Sequence, residues 1–395
     1  MSLRQGGPHL FPLPGGNLRL ERSIPGGRSL RPWDAADEQL VAEARRRLTR
    51  GQRIAIVDDS HGALSLGLAD FQPGVIADSA ALRDSLAFNA GANGLPVPPC
   101  GSWIDELGWP AAGEAPGAPD DRFDAIILKV PRQLDYLEFL LRWSNQVLVP
   151  GGIQLTGGMI KHLPAQAARV YQKLVTTDAV LPARKKARCV VCRPGSLTLA
   201  GWDQLWRGYR MDSLKASVQA LPSVFARERL DIGTRELLPF IPATLADAPA
   251  GAQVLDLACG NGVLGLSALM ANPGVTVTFT DVSSQAILSV GANVRALGIA
   301  ADRVALVHED GVPESAGRFD RILLNPPFHE GGVVGDHIAL RLFDEAASHL
   351  APGGRLLMVG NRHLGYHRSL KTAFGNVRQL AASPRFVVFE ASEPR

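Results

Sequence analysis

Along the chain, short runs of aliphatic and β-branched residues alternate with longer segments whose apolar positions recur at helical spacing, and the same succession occurs twice. The first pass holds "RIAIVDDSHGALSLGLADF" (53–71), "VIADSAALRDSL", "DRFDAIILKVPRQ" (121–133) and "LVPGGIQLTGG" (148–158). The second holds "QVLDLACGNGVLGLSAL", "TFTDVSSQAI", "GRFDRILLNPPFH" and "LAPGGRLLMVG" in the same order, displaced by about two hundred residues. Strands alternating with helices predict a doubly wound α/β domain around a parallel sheet, so two such domains are expected in tandem. The expected boundaries are 1–194 for the first, 195–222 for a connecting strand or hairpin carrying Trp202, Trp206 and Tyr209, and 223–395 for the second. The first thirty residues, rich in Gly, Pro and Arg, predict loop or edge structure.

Composition supports two full cores: 395 residues, 46% hydrophobic and 20% charged, are ordinary for globular domains. A net charge of +3 permits a polyanionic partner without requiring one. Of the cysteines Cys100, Cys189, Cys192 and Cys259, only the pair in "ARCVVC" is closely spaced. That pair lies in a β-branched run, where residues three apart point to opposite faces, so a buried strand is expected rather than a metal site. With no leader pattern and no long apolar run, a soluble cytoplasmic protein in a reducing compartment is expected.

The two passes differ where chemistry would sit. In "DLACGNGVLG", Gly260, Gly262 and Gly265 form G-x-G-x-x-G between a strand and a helix, whereas "VDDSHGALS" keeps only Gly62. Asn325, Pro326, Pro327 and Phe328 correspond to Lys129, Val130, Pro131 and Arg132. The first copy is therefore expected to keep the fold and to have lost the site. The glycine loop, with Asp281 about twenty residues on, also matches a dinucleotide fingerprint. Asp256 separates the options, because its carboxylate would repel a pyrophosphate on the helix N-terminus and welcome a cation. S-adenosylmethionine, with its sulfonium and ammonium, meets that demand; Asp281 would accept from the ribose hydroxyls and Asp310 in "VHEDG" from the adenine amine.

In "LLNPPFHEGG" two prolines end a strand, since neither offers an N–H to the ladder. Asn-Pro-Pro-Phe after a strand resembles the catalytic loop of methyltransferases that modify an exocyclic amine. The Asn325 side-chain oxygen and the Pro326 carbonyl would accept the amine hydrogens and localise its lone pair, and Phe328 would stack on the base. RNA guanine, DNA adenine and a protein glutamine all fit such a loop. A nicotinamide-dependent oxidoreductase fits neither the loop nor Asp256.

Taken with "RPWDAADEQLV", "LKVPR", "KKARCVVC", "VFARERLDIGTREL" and "NRHLGYHRSLKTAFG", the chain resembles the duplicated-domain ribosomal RNA guanine-N2 methyltransferases, and most closely their large-subunit branch. The resemblance implies two tandem Rossmann-like class I methyltransferase domains, the N-terminal one degenerate, acting on 23S rRNA; the 16S branch is the alternative. It implies that Asp256, Gly260, Gly262, Asp281 and Asp310 bind S-adenosylmethionine, that Phe225, Asp231 and Gly233 close over it, and that Asn325 to Phe328 hold the guanine amine. The "PARKKAR" stretch, with Arg184, Lys185, Lys186 and Arg188, is expected to grip RNA phosphates, as are Arg362, His363, Arg368 and Lys371.

Overall fold

The structure, a computed structural model, describes residues 9–22, 31–116, 122–163, 165–327, 329–330, 333–334 and 337–395. The chain divides into two compact units, one of residues 1–108 and 114–205, the other of residues 109–113 and 206–395.

In the first unit a hairpin (His9–Leu13 with Gly16–Leu20) precedes helix α1 (Ala35–Arg47). The sheet strands are β1 (Ile54–Val57), β2 (Gly74–Ala77), β3 (Cys100–Ser102), β4 (Phe123–Lys129), β5 (Leu148–Met159), β6 (Val175–Val180) and β7 (Ala187–Pro194). Helices α2 (Ala63–Gly67), α3 (Ala81–Ala92), α4 (Leu134–Val147) and α5 (Ala165–Leu174) intervene. In the second unit α6 (Ile232–Leu237) precedes β8 (Gln253–Leu257), β9 (Thr276–Asp281), β10 (Val304–His308), β11 (Phe319–Leu324), β12 (Leu350–Asn361), β13 (Phe374–Ala382) and β14 (Phe386–Pro394). Its further helices are α7 (Val263–Ala271), α8 (Ser284–Ala296), α9 (His337–Ser348) and α10 (Tyr366–Ala373).

The sheet orders are β3-β2-β1-β4-β5-β7-β6 and β10-β9-β8-β11-β12-β14-β13, one topology built twice. The repetition extends to irregularities: register slips at Phe123/Ala125 and Phe319/Arg321 where the fourth and fifth strands meet, and at Thr177/Ala179 and Gln379/Ala381 in the final hairpin. The wholly parallel sheet expected from the alternating pattern needs one amendment per unit. Strands β7 and β14 run antiparallel to both neighbours, because each follows its edge strand through a tight turn rather than a helical crossover.

Central strands are buried on both faces, as a sheet covered by helices on each side requires: every residue of "IAIV" in β1 is buried, as is every residue of β8 after Gln253. Cys189 and Cys192 are buried and free in β7. Among the described residues no cluster of His, Cys, Asp and Glu is arranged to hold a metal ion, and no helix is long and apolar enough to cross a membrane.

Candidate active site

Strand β8 delivers Asp256 to the C-terminal edge of its sheet, where the chain turns sharply through left-handed Ala258 (φ +56°), Gly260 (φ +55°) and Gly262 (φ +84°) into α7. The Asp256 side chain is buried, with one oxygen, Oδ2, accepting the Gly265 N–H at 2.8 Å. The other, Oδ1, has no partner among the described residues. Burial pushes its pKa well above the usual carboxylate range; the Gly265 N–H pulls the other way, and the Asp281 charge adds to the rise. Asp281, at the end of β9, accepts the Gly260 N–H at 2.8 Å and the Ser283 N–H at 2.9 Å, so it shapes the glycine loop and the start of α8 together.

Asn325 follows β11 directly. Its Nδ2 donates to Thr234 Oγ1 at 2.9 Å and to Asp231 Oδ2 at 3.1 Å, while Oδ1 is buried without a partner among the described residues. Asp231 is the N-cap of α6 and accepts the Thr234 N–H at 2.8 Å. Pro326 is buried and Pro327 exposed; Phe328 lies outside the described residues.

Phe225, Asp231, Asp256 and Asn325 line one cleft, which Tyr209 and Asn261 also line. Tyr209 belongs to a hairpin (Arg207–Met211 with Ala216–Ala220) in the segment expected to connect the domains, and its hydroxyl accepts from Asn261 Nδ2 at 3.1 Å. Asn261 Nδ2 also donates to the carbonyl of left-handed Ala226. Those bonds hold the exposed Phe225 against the glycine loop.

The other expected residues take separate places. Gly233 is packed under Phe386, whose Cε1 would lie 3.0 Å from an added Cβ. Asp310 lies past β10, its Oδ1 held by Arg341 of α9 at 2.5 Å, and Arg341 is held in turn by Glu345 at 2.8 Å. Arg184, Lys185 and Lys186 are exposed on the turn between β6 and β7, where Lys185 (φ +49°) and Lys186 (φ +63°) are both left-handed, and Arg188 is exposed at the start of β7. Lys185 Nζ reaches Glu38 at 2.7 Å. Arg362, His363, Arg368 and Lys371 are exposed after β12 and on α10.

Two family models divide the chain, one described as the RLMG N-terminal domain over residues 9–196 and one as the methyltransferase small domain over residues 215–390. The ribosomal RNA large subunit methyltransferase G of Pseudomonas aeruginosa strain UCBPP-PA14 is 37% identical over 390 residues, 97% of this chain and all of that one. That of Stutzerimonas stutzeri is 37% identical over 366 residues, 92% of this chain and 93% of its own. The chain belongs to the ribosomal RNA large subunit methyltransferase G family. Its fold is that of the Thermus thermophilus 16S rRNA N2 G1207 methyltransferase RsmC, solved with AdoMet and guanosine: TM-score 0.73, 23% identity, 98% of each chain covered. The methyltransferase model spans the unit that carries the cleft; the RLMG N-terminal model spans the copy without the glycines. Tyr209 was legible in the sequence only as part of the connecting segment, and Thr234 carried no site signal. Thr234 sits at the third position of a six-residue helix, and nothing local ties it to an asparagine ninety-one residues away.

Proposed function

We propose that this chain transfers the methyl group of S-adenosylmethionine to the exocyclic N2 of a guanine in 23S rRNA, an activity expected in the cytoplasm. The observation that carries the reading is the buried, unpartnered Oδ1 of Asn325 beside the cleft that Asp256 also lines. A buried acceptor without a partner is costly, and an amine hydrogen from a substrate would satisfy it. The cleft residues also suit the cofactor: a buried carboxylate with one orphaned oxygen favours a cationic ligand over a phosphate. When bound, S-adenosylmethionine supplies the electrophilic methyl group.

Asp256, Gly260 and Gly262 receive the methionyl end, Asp281 the ribose and Asp310 the adenine amine, with Phe225, Asp231 and Gly233 on the segment that covers them. Asn325 Oδ1 and the Pro326 carbonyl would accept the two guanine N2 hydrogens, which would hold the amine lone pair out of conjugation with the ring. Each such bond to a group gaining positive charge contributes about 1.5–3 kcal/mol, or roughly ten- to a hundredfold in rate. Phe328 stacks on the base. Arg184, Lys185, Lys186, Arg188, Arg362, His363, Arg368 and Lys371 contact RNA phosphates.

The test is to incubate the protein with labelled S-adenosylmethionine and total rRNA from a strain lacking its gene, then map the labelled nucleoside. The expected product is N2-methylguanine in 23S rRNA, reduced at least about a hundredfold by Asn325→Ala with little change in cofactor affinity. Label in 16S rRNA alone, or on protein and not on RNA, would overturn the reading.

A further inference from the structure

The stretch "RPWDAADEQLV" has no role in the proposed chemistry, yet it holds the counterpart of the Asn325 surroundings. In the first unit Asp34 is the N-cap of α1 and Asp37 stands three residues on. Lys129, the last residue of β4, places its Nζ 2.6 Å from Asp37 Oδ2 and 3.2 Å from Asp34 Oδ2. In the second unit Asp231 is the N-cap of α6, Thr234 stands three residues on, and Asn325 follows β11. Sheet registers equate the last members: Val57 pairs with Leu128 and Leu257 with Leu324, each one residue earlier. The same triangle of N-cap, third helical residue and post-strand residue is therefore built twice.

The two triangles differ in what they leave over. An ammonium has three donors and no acceptor, so Lys129 closes its triangle as an ion pair. A side-chain amide gives both hydrogens away and keeps its oxygen. In the second unit Asp231 decides which way that amide points: a carboxylate oxygen accepts, so a flipped Asn325 would set its own oxygen against Asp231 Oδ2 at about 3 Å, a repulsive contact, while the Thr234 hydroxyl anchors the amide beside it.

We propose that Asp231 and Thr234 are positioning residues that fix the amide of Asn325, holding Oδ1 toward the substrate amine. This rests on the catalytic reading of Asn325. Thr234 is the cleaner probe, because Asp231 also caps α6. Thr234→Val keeps shape and removes the acceptor; Thr234→Ser keeps the acceptor.

The experiment measures single-turnover methylation of 23S rRNA, cofactor affinity and melting temperature for both variants, alone and with Asn325→Ala. Thr234→Val should slow methyl transfer by about tenfold or more, with the KM for RNA and the cofactor affinity within about twofold of wild type. Thr234→Ser should restore most of the rate. In the Asn325→Ala background, Thr234→Val should cost nothing further, since the group it positions is gone. The clamp is overturned if Thr234→Val is as fast as wild type, if it loses the same factor in the Asn325→Ala background, or if the loss lies wholly in cofactor affinity. If Asn325→Ala itself methylates at the wild-type rate, the catalytic reading fails instead. Should Thr234→Val melt early, the Ser variant decides: a rate near that of Val with wild-type stability also refutes the proposal.

Discussion

Gly265→Ala would test how tightly the floor beneath the glycine loop is built. A Cβ at this position would lie 2.3 Å from Phe279 Cε1, 2.7 Å from Phe279 Cζ and 3.0 Å from Asp256 Oδ2. Ordinary carbon contacts are about 3.5–4.0 Å, so α7 and β9 must separate by more than about 1 Å, and the fully buried Phe279 has no room to turn aside. Overpacking of this kind costs about 1–3 kcal/mol, and the severity of the contact puts it at the upper end. The better helix propensity of alanine returns about 1 kcal/mol, leaving a net loss near 2 kcal/mol. For a domain of this size that lowers the melting temperature by about 4–8 °C. Because the same Cβ presses on Asp256, calorimetric titration with S-adenosylmethionine should show weakened binding as well. Gly291→Ala is the control, since its Cβ would meet Trp109 at 2.9 Å and that half-exposed ring can swing outward. Unchanged melting and affinity in Gly265→Ala, or an equal loss in Gly291→Ala, would refute the packing argument.

Three further outcomes are expected. Burial holds the Asp256 carboxyl protonated well above its usual range, whereas a cationic ligand favours its ionised form, so cofactor affinity should rise with pH through that titration and level off above it; titrations across pH should show this slope vanish in Asp256→Asn. In the first unit, burial and then the charge of Asp78 raise Asp58 to about 7 against the hydrogen bond from Tyr136; the folded state keeps a proton that the unfolded chain loses, so stability conferred at low pH should fall by up to a few kcal/mol between about pH 4 and 7, and denaturant midpoints of Asp58→Asn should lack that fall. Replacing Lys185 and Lys186 with Glu should raise the apparent KM for rRNA and flatten its salt dependence while cofactor affinity stays unchanged, a result that fails if the salt slope is untouched.

What the sequence made legible was local or periodic. The order of strands and helices followed from runs such as "IAIV" and "QVLDL", and the glycine loop from spacing alone, because both are set by neighbours in the chain. The reversed direction of β7 and β14 was not legible, since a β-branched run pairs equally well either way and only its short connection decides. The ties of Asn325 to Thr234 and Asp231, and of Asp310 to Arg341, join residues far apart in sequence, and no local signal pairs them. Lys129 was visible as a replacement for Asn325, but its ion pair with Asp37, ninety-two residues away, was not.

That ion pair bears on ancestry. If both halves descend from one active domain, the change to lysine at 129 came to depend on acids at 34 and 37, and with Asp37 now only 3% exposed the dependence is mutual. Restoring asparagine at 129 alone would leave two carboxylates facing a neutral amide, and stripping the countercharge from such a buried acid costs about 3–5 kcal/mol. Threonine at 37 would have to return with it. On that history, a single substitution that retraces the path lowers stability before anything is gained, so the first half is held in its present form by its own packing.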